Sequence, residues 1–300
     1  MSIQTLRAFI NRHNAAAAGL DALGAALDAR SSGRPLEPAL AARVDELLAA
    51  LGGGDVLDGV SAQEAAPFLA ELRGMGRIEA RLLDASTRAP GWGHDDPVIL
   101  QAAGDISAGF AQGLTRNVAP ALEGLSERLT APGAAFLDVG VGVAGLAIAM
   151  ARLCPELRIV GVDPWQPSLR LARENVDRAG LGDRIELREQ GGETLEDEGA
   201  FDLAWVASAF MPERVVPRIC ARAHRALRPG GWMLLGMLNL GQDPQTAALV
   251  GLRATLWGGP LWTGGEGETV LREGGLVEVR TLPGPPGALT TLVAGRRKPG

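Results

Sequence analysis

The sequence predicts an α/β fold: a doubly wound, mostly parallel sheet with an antiparallel closing hairpin, preceded by an α-helical N-terminal cap. Three observations predict it. From Ala134 onward, short apolar runs alternate with helical stretches, as parallel strands joined by crossover helices require. Within this region, FLDVGVGVAG at residues 136–145 carries an apolar strand into a glycine-rich turn. Ahead of it, the first part of the chain is rich in Ala and Leu at helical spacing.

Taken in order, residues 6–27 and 38–51 read as helices, the second ending at Gly52-Gly53-Gly54. Ser61-Ala62-Gln63-Glu64 is a capping-box sequence, opening a helix expected to stop near Gly74, with Ala65, Phe68, Leu69 and Leu72 on one face. That face must bury against something, so residues 1–88 read as a packing or dimerisation cap; a winged-helix relic gives the same pattern. Residues 89–133 form a linker and helices over the site, beginning with a break at 89–93 that contains Pro90 and Trp92. Asp96-Pro97 then supplies an N-cap acid and a first-position proline for a helix through Ile99, Leu100, Ala103 and Ile106.

Residues 134–300 are the sheet domain. A helix at 143–153 leads to a strand at 158–162 that ends on Asp163. A helix at 166–180 follows, then a strand at 184–188 and the polar turn Glu189-Gln190-Gly191-Gly192. The fourth strand, 201–206, runs into Ala207-Ser208-Ala209-Phe210-Met211-Pro212, and the fifth follows the turn Pro229-Gly230-Gly231 and ends near Leu238-Asn239. A helix at 245–256, a Gly- and Trp-rich loop at 257–268 suited to a flap, and extended runs at 276–282 and 289–294 complete the chain.

Composition narrows the function. The chain has 300 residues, 46% of them hydrophobic, enough for a substantial core. There is no run of about 18 apolar residues and no basic-then-apolar leader, so a membrane span and a signal peptide are not indicated and a cytoplasmic protein is expected. Net charge is −6 and Lys298 is the only lysine, so the basic stripe that neutralises phosphates is missing and no nucleic-acid partner is expected. The abundance of Ala, Gly and Arg beside a single Lys gives a bacterial, high-GC impression. Cys154 and Cys220 lack metal spacing and read as small buried residues inside helices.

The glycine turn carries the chemistry. Gly140, Gly142 and Gly145 let the backbone approach a ligand at the start of a helix whose N–H groups are free. Asp163, at the tip of the neighbouring strand, stands where a carboxylate accepts two hydrogen bonds from a ribose diol. A dinucleotide site uses similar glycines, but the charge of Asp138 just ahead of the turn repels a pyrophosphate and favours a cationic ligand.

At Asp138, the turn, Asp163 and the segment Leu227-Arg228-Pro229-Gly230-Gly231-Trp232, the chain resembles the class I S-adenosylmethionine-dependent methyltransferases of the bacterial small-molecule type. One departure is that the family's third small residue falls at Ala144, one place before Gly145. The resemblance implies that S-adenosylmethionine is bound, and S-adenosylhomocysteine released, through Asp138, Gly140, Gly142, Gly145, Asp163, Trp165, Gln190, Gly191 and Ala207. Glu193 is either a further adenine neighbour or a solvated loop acid. It also implies that the segment ahead of the first strand walls the acceptor pocket. Trp92, Gln101, Phe210 and Met211 are therefore substrate-lining candidates, with ordinary core packing the alternative for Trp92.

Sulfonium methyl transfer disperses charge, so holding the reactants in line and excluding water matters most. A general base helps when the acceptor loses a proton. With no tyrosine and only His13, His94 and His224, His94 alone falls outside an evident helix, beside an Asp95 able to orient it; His224 reads as a surface residue. No acid cluster follows the fourth strand, so no metal is expected, and apolar Phe210-Met211 suits an aromatic acceptor. The sequence thus predicts a metal-independent methyltransferase of secondary metabolism, acting on O, N or an electron-rich C of a small aromatic molecule. A homodimer through the N-terminal helices goes with it. An NAD(P)-dependent oxidoreductase and a non-catalytic adenosylmethionine-binding protein are the alternatives.

Overall fold

The strand β1 (Ala135–Val139) is buried along almost its whole length, and in the computed structural model its alternate residues enter two different cores. Phe136 joins Met150, Leu157, Ile159 and Trp232 on one face of the sheet, while Leu137 and Val139 join Ile219, Met233 and Leu235 on the other. A strand covered on both faces must be continuously apolar, which is why β1 shows no polar alternation until Asp138.

The structure describes residues 3–84, 91–241, 243–284 and 287–300. In order, the elements are α1 (Ile3–Ser32), α2 (Pro38–Ala50), α3 (Ala62–Asp84), α4 (Pro97–Gly113), a π turn at Leu114–Val118, one-turn α5 (Ala119–Ala121) and α6 (Leu125–Thr130). Then come β1, α7 (Gly145–Leu153), β2 (Arg158–Asp163), α8 (Gln166–Ala179), β3 (Ile185–Glu189) and β4 (Phe201–Ala207). The chain closes with α9 (Val216–Ala226), β5 (Leu227–Leu238), α10 (Pro244–Trp257), α11 (Gly264–Glu273), β6 (Val277–Leu282) and β7 (Thr290–Arg296). The chain divides into two compact units between Ile78 and Glu79, within α3.

In the first unit, Gly19 of α1 lies against Leu51 and Gly24 against Leu72, and Arg73 pairs with Asp28 at 3.0 Å. The Ser61–Glu64 capping box forms, with Glu64 accepting from the Ser61 N–H at 2.9 Å. Two expectations fail here. The helix passes Gly74 and runs to Asp84, because burial of Met75, Ile78 and Leu82 outweighs the roughly 1 kcal/mol that each interior glycine costs. And Phe68 does not share a buried face with Ala65; it is largely exposed.

In the second unit the strand order is β3-β2-β1-β4-β5-β7-β6. β1 to β5 pair in parallel, β7 runs antiparallel to β5, and β6 antiparallel to β7, so the expected doubly wound sheet and closing hairpin are present. At the amino end of β1, the buried Asp202 of β4 accepts from the Ala135 N–H and from Arg128 and Arg228, joining the two central strands. The connections leave β1 toward β2 on one side and meet β4 on the other. The crevice at the carboxyl ends of β1 and β4 is therefore the switch point where open α/β sheets bind ligands. The expected flap at 257–268 is shorter than the sequence suggested: Trp257 still belongs to α10, and Thr263 with Glu266 makes a capping box that starts α11.

Candidate active site

Beyond Val139 the backbone continues the ladder, with the Gly140 and Val141 N–H groups donating to the Val162 carbonyl at 2.9 and 3.1 Å. Gly140 at φ +82° and Gly142 at φ +54° then take left-handed conformations that favour glycine. Ala144 does the same at φ +66°, so the departure from the family's spacing lies at a strained residue immediately before α7. Gly145 serves a different purpose: a Cβ there would stand 2.0 Å from the Gly104 carbonyl oxygen, so this glycine is what lets α7 pack on α4.

Asp163 locks the turn to the tip of β2. One carboxylate oxygen accepts from the Gly142 N–H at 2.9 Å, the other from the Trp165 N–H at 2.8 Å. Burial raises its pKa, and these two backbone donors partly offset the rise. Asp138 has less support. It is only 2% exposed, and its Oδ2 has no hydrogen-bond partner. Burial, and then the charge of Asp163, push its pKa up to about 7. An unpaired buried carboxylate beside a second one is a site that a cation completes. The α-ammonium and sulfonium of adenosylmethionine fit this need, and Asp163 keeps lone pairs for ribose hydroxyls.

Around this pair the other tips converge. A Cβ on Gly140 would sit 2.9 Å from Met211 Cε and 3.6 Å from Ala207 Cβ, so the last residue of β4 and the loop beyond it cover the turn directly. At β3, Gln190 and Gly191 follow Glu189, and the Glu193 carboxylate folds back over Gly191, where an added Cβ would meet it at 2.5 Å.

A group of rings adjoins the tip of β4. Trp92 meets His94 edge-on at 4.8 Å between centroids, and meets Phe210 at 4.8 Å. Phe210 in turn stacks on Trp257 at 5.0 Å. His94 is 1% exposed with both ring nitrogens unpartnered, and Trp257, 6% exposed, has an unpartnered indole N–H. The Trp165 indole donates to the His94 carbonyl, which holds this loop to the tip of β2. The Gly91 N–H donates to the Thr255 carbonyl at 3.1 Å, holding it to α10. Of the break expected at 89–93, Ala89 and Pro90 lie outside the described residues.

Several expectations change. Asp95 does not orient His94, whose ring nitrogens are both unpartnered. Asp96, by contrast, is the N-cap that the sequence predicts, accepting from the Val98 N–H at 2.8 Å. Gln101 spends its amide on Asn175 and Asp105, bracing α4 on α8, so its polar atoms are committed to the scaffold and not to an acceptor. His224 is half-buried in the last turn of α9, close against Gly275. Burial, then the charges of Arg297 and Arg225, lower its pKa. Cys154 caps the end of α7, outside the helix; it and Cys220 are free and buried. Among the described residues no cluster of His, Cys, Asp or Glu suited to a metal is found, and no helix is long and apolar enough to cross a membrane.

Comparison with known proteins agrees with this geometry. Residues 136–231 match the model of a methyltransferase domain. The chain is 28% identical over 237 residues to a ribosomal protein L11 methyltransferase of Sorangium cellulosum, covering 76% of this chain and 67% of that one. It is 30% identical to a nocamycin O-methyltransferase of Saccharothrix syringae, covering 50% of this chain and 62% of that one. The chain thus spans about two thirds of the length of these two relatives. Human N-acetylserotonin methyltransferase, solved in complex with SAM, superposes with a TM-score of 0.57 at 17% identity, covering 99% of each chain. The fold is that of an adenosylmethionine-dependent methyltransferase. The match over residues 136–231 and the shared fold point to the same kind of domain.

Proposed function

We propose that the protein transfers a methyl group from S-adenosylmethionine to an oxygen of a small aromatic molecule in secondary metabolism, without a metal. The observation that carries this reading is the buried, unpartnered Asp138 beside Asp163 at the switch point of the sheet. The cofactor, when bound, supplies an electrophilic methyl on a sulfonium. Asp138 holds its ammonium end, Asp163 its ribose, with Gly140, Gly142, Trp165, Gln190, Gly191 and Ala207 around it. Trp92, Phe210 and Met211 grip the acceptor and keep water out. His94, buried and free at both nitrogens, takes the proton of an acceptor hydroxyl as the oxygen becomes nucleophilic. The nocamycin relative supports oxygen over nitrogen or carbon, and the ring cluster favours a flat molecule over the protein acceptor that the name of the L11 relative carries.

The test is direct. Adenosylhomocysteine raises the melting temperature and NADH does not; the reverse result removes the reading in favour of an oxidoreductase. Labelled adenosylmethionine with a panel of phenols, indoles and amines then identifies the acceptor atom.

We also place the protein in the cytoplasm of a bacterium, a reading that its two free cysteines support, and as a homodimer. On α1, Ile3, Leu6, Ile10 and Leu20 fall on a heptad seam and are exposed, an apolar stripe that a second copy covers. Leu6→Asp with Ile10→Asp gives a monomer by light scattering if so; an unchanged mass places the interface elsewhere.

A further inference from the structure

Two of the buried polar groups without a partner among the described residues belong to the ring cluster, and the proposed transfer uses only one of them. Trp257, at the last turn of α10, has its ring stacked on Phe210 and its indole N–H unpartnered, although the residue is nearly buried. A tryptophan used only as filler normally finds a partner for this N–H when it is buried. The side chains that connect Trp257 to His94 are Phe210 and Trp92, both only partly buried, so the cluster is dry at its two polar ends and open in its middle.

We propose that Trp257 is a specificity-determining residue: its indole N–H donates to a carbonyl or ether oxygen of the acceptor, while Phe210 and Trp92 pack on the acceptor's ring. This rests on the methyltransferase reading and narrows its substrate class. The indole N–H can only donate. A neutral imidazole at His94 presents one donor and one acceptor nitrogen, and the acceptor nitrogen takes an O–H. The complement to the pair is a flat aromatic molecule with a hydroxyl toward His94 and a hydrogen-bond-accepting oxygen toward Trp257. A bare hydrocarbon ring leaves both buried groups unpaired, and so does a ring whose only polar group is a protonated amine directed at Trp257. Each unpaired group counts against such a ligand. Gly258 and Gly259 fix the indole's position. A Cβ at Gly258 would stand 2.9 Å from Gly91 Cα, and one at Gly259 would stand 2.2 Å from the Ala209 carbonyl oxygen, so the end of α10 is pressed onto both neighbouring segments.

The experiment titrates 6-hydroxy-1,4-naphthoquinone, 2-naphthol and naphthalene into the protein saturated with adenosylhomocysteine, in a mildly acidic buffer that keeps the hydroxyls protonated, and follows binding by quenching of tryptophan fluorescence. Wild type should bind the quinone about tenfold more tightly than naphthalene. Trp257→Phe, which keeps a ring and removes the N–H, should lose the preference for the quinone over 2-naphthol while holding naphthalene as before. His94→Phe should lose the preference for 2-naphthol over naphthalene. A Trp257→Phe protein that still prefers the quinone overturns the proposal, as does a wild type that does not distinguish the three. The thermal shift with adenosylhomocysteine, run on every variant, reports folding and tests the cofactor reading separately. No shift with the ring preference intact removes the cofactor reading and leaves Trp257 its role; a shift without the preference removes Trp257.

Discussion

The strand tips around Asp138 and Asp163 are organised by bonds between near neighbours in the chain, whereas the ring cluster draws on three distant segments: residues 92 and 94, residue 210 and residue 257. On the proposed reading the first region recognises by backbone conformation and charge, which a single βαβ unit supplies. The second, on the same reading, recognises by the shape and unpaired polar atoms of side chains whose proximity depends on the whole sheet. One half of the site is thus fixed in type, and the other is free to vary with the acceptor.

The largest expected effect falls on the ring cluster. If His94 takes the acceptor's proton, His94→Phe lowers kcat by at least about 100-fold and leaves adenosylhomocysteine affinity unchanged, because His94 belongs to the acceptor half alone. Wild-type turnover on the identified acceptor would leave catalysis to positioning. Loss of both turnover and cofactor affinity would break the division into halves, with the Trp165 contact to the His94 carbonyl as the route.

Next comes Asp163→Ala, which should weaken adenosylhomocysteine binding by about 1 to 3 kcal/mol in a calorimetric titration, the usual loss for hydrogen bonds to a charged group. It should also loosen the turn, since the Gly142 and Trp165 N–H groups lose their acceptor. An unchanged dissociation constant removes Asp163 from the site.

Gly145→Ala sharpens the comparison from inside the motif. The added methyl meets the Gly104 carbonyl, so the variant should lose about 1 to 3 kcal/mol of stability in denaturant, with little change in the cofactor affinity of the folded protein. If affinity falls and stability holds, Gly145 acts at the ligand after all.

What could be read from the sequence follows the same division. The succession of strands and helices and the glycine turn are legible because hydrophobic period and glycine spacing are local signals. Gln101 was misplaced because sequence shows that it lies near the site but not that Asn175 comes to meet it. The sequence places Trp257 in a loop because Gly258 and Gly259 look like the middle of a flexible stretch. They are instead the point at which α10 stops and packs. The helix α11 was missed for the same reason, although Thr263 and Glu266 at capping-box spacing were available to find it.

The smallest effect tests whether charge, and not shape, governs the cofactor half. In the free protein the Asp138 carboxyl binds its proton up to about pH 7, whereas in the unfolded chain it would release it near its ordinary value of 3.8. Between these values the folded state holds more protons than the unfolded one, so this residue's contribution to stability falls as pH rises through that window. Binding acts in the opposite direction. The ligand's ammonium needs the carboxylate ionised, so below pH 7 binding must expel a proton and affinity drops. Above pH 7 the carboxylate is already charged and affinity levels off. Between pH 8 and pH 6 the dissociation constant for adenosylhomocysteine should rise about tenfold, with proton release seen as a buffer-dependent heat at the lower pH. Asp138→Asn should bind more weakly and lose this dependence. A wild-type constant that stays level from pH 6 to pH 8 means that Asp138 does not carry the cation, and that the turn and Asp163 hold the cofactor without it.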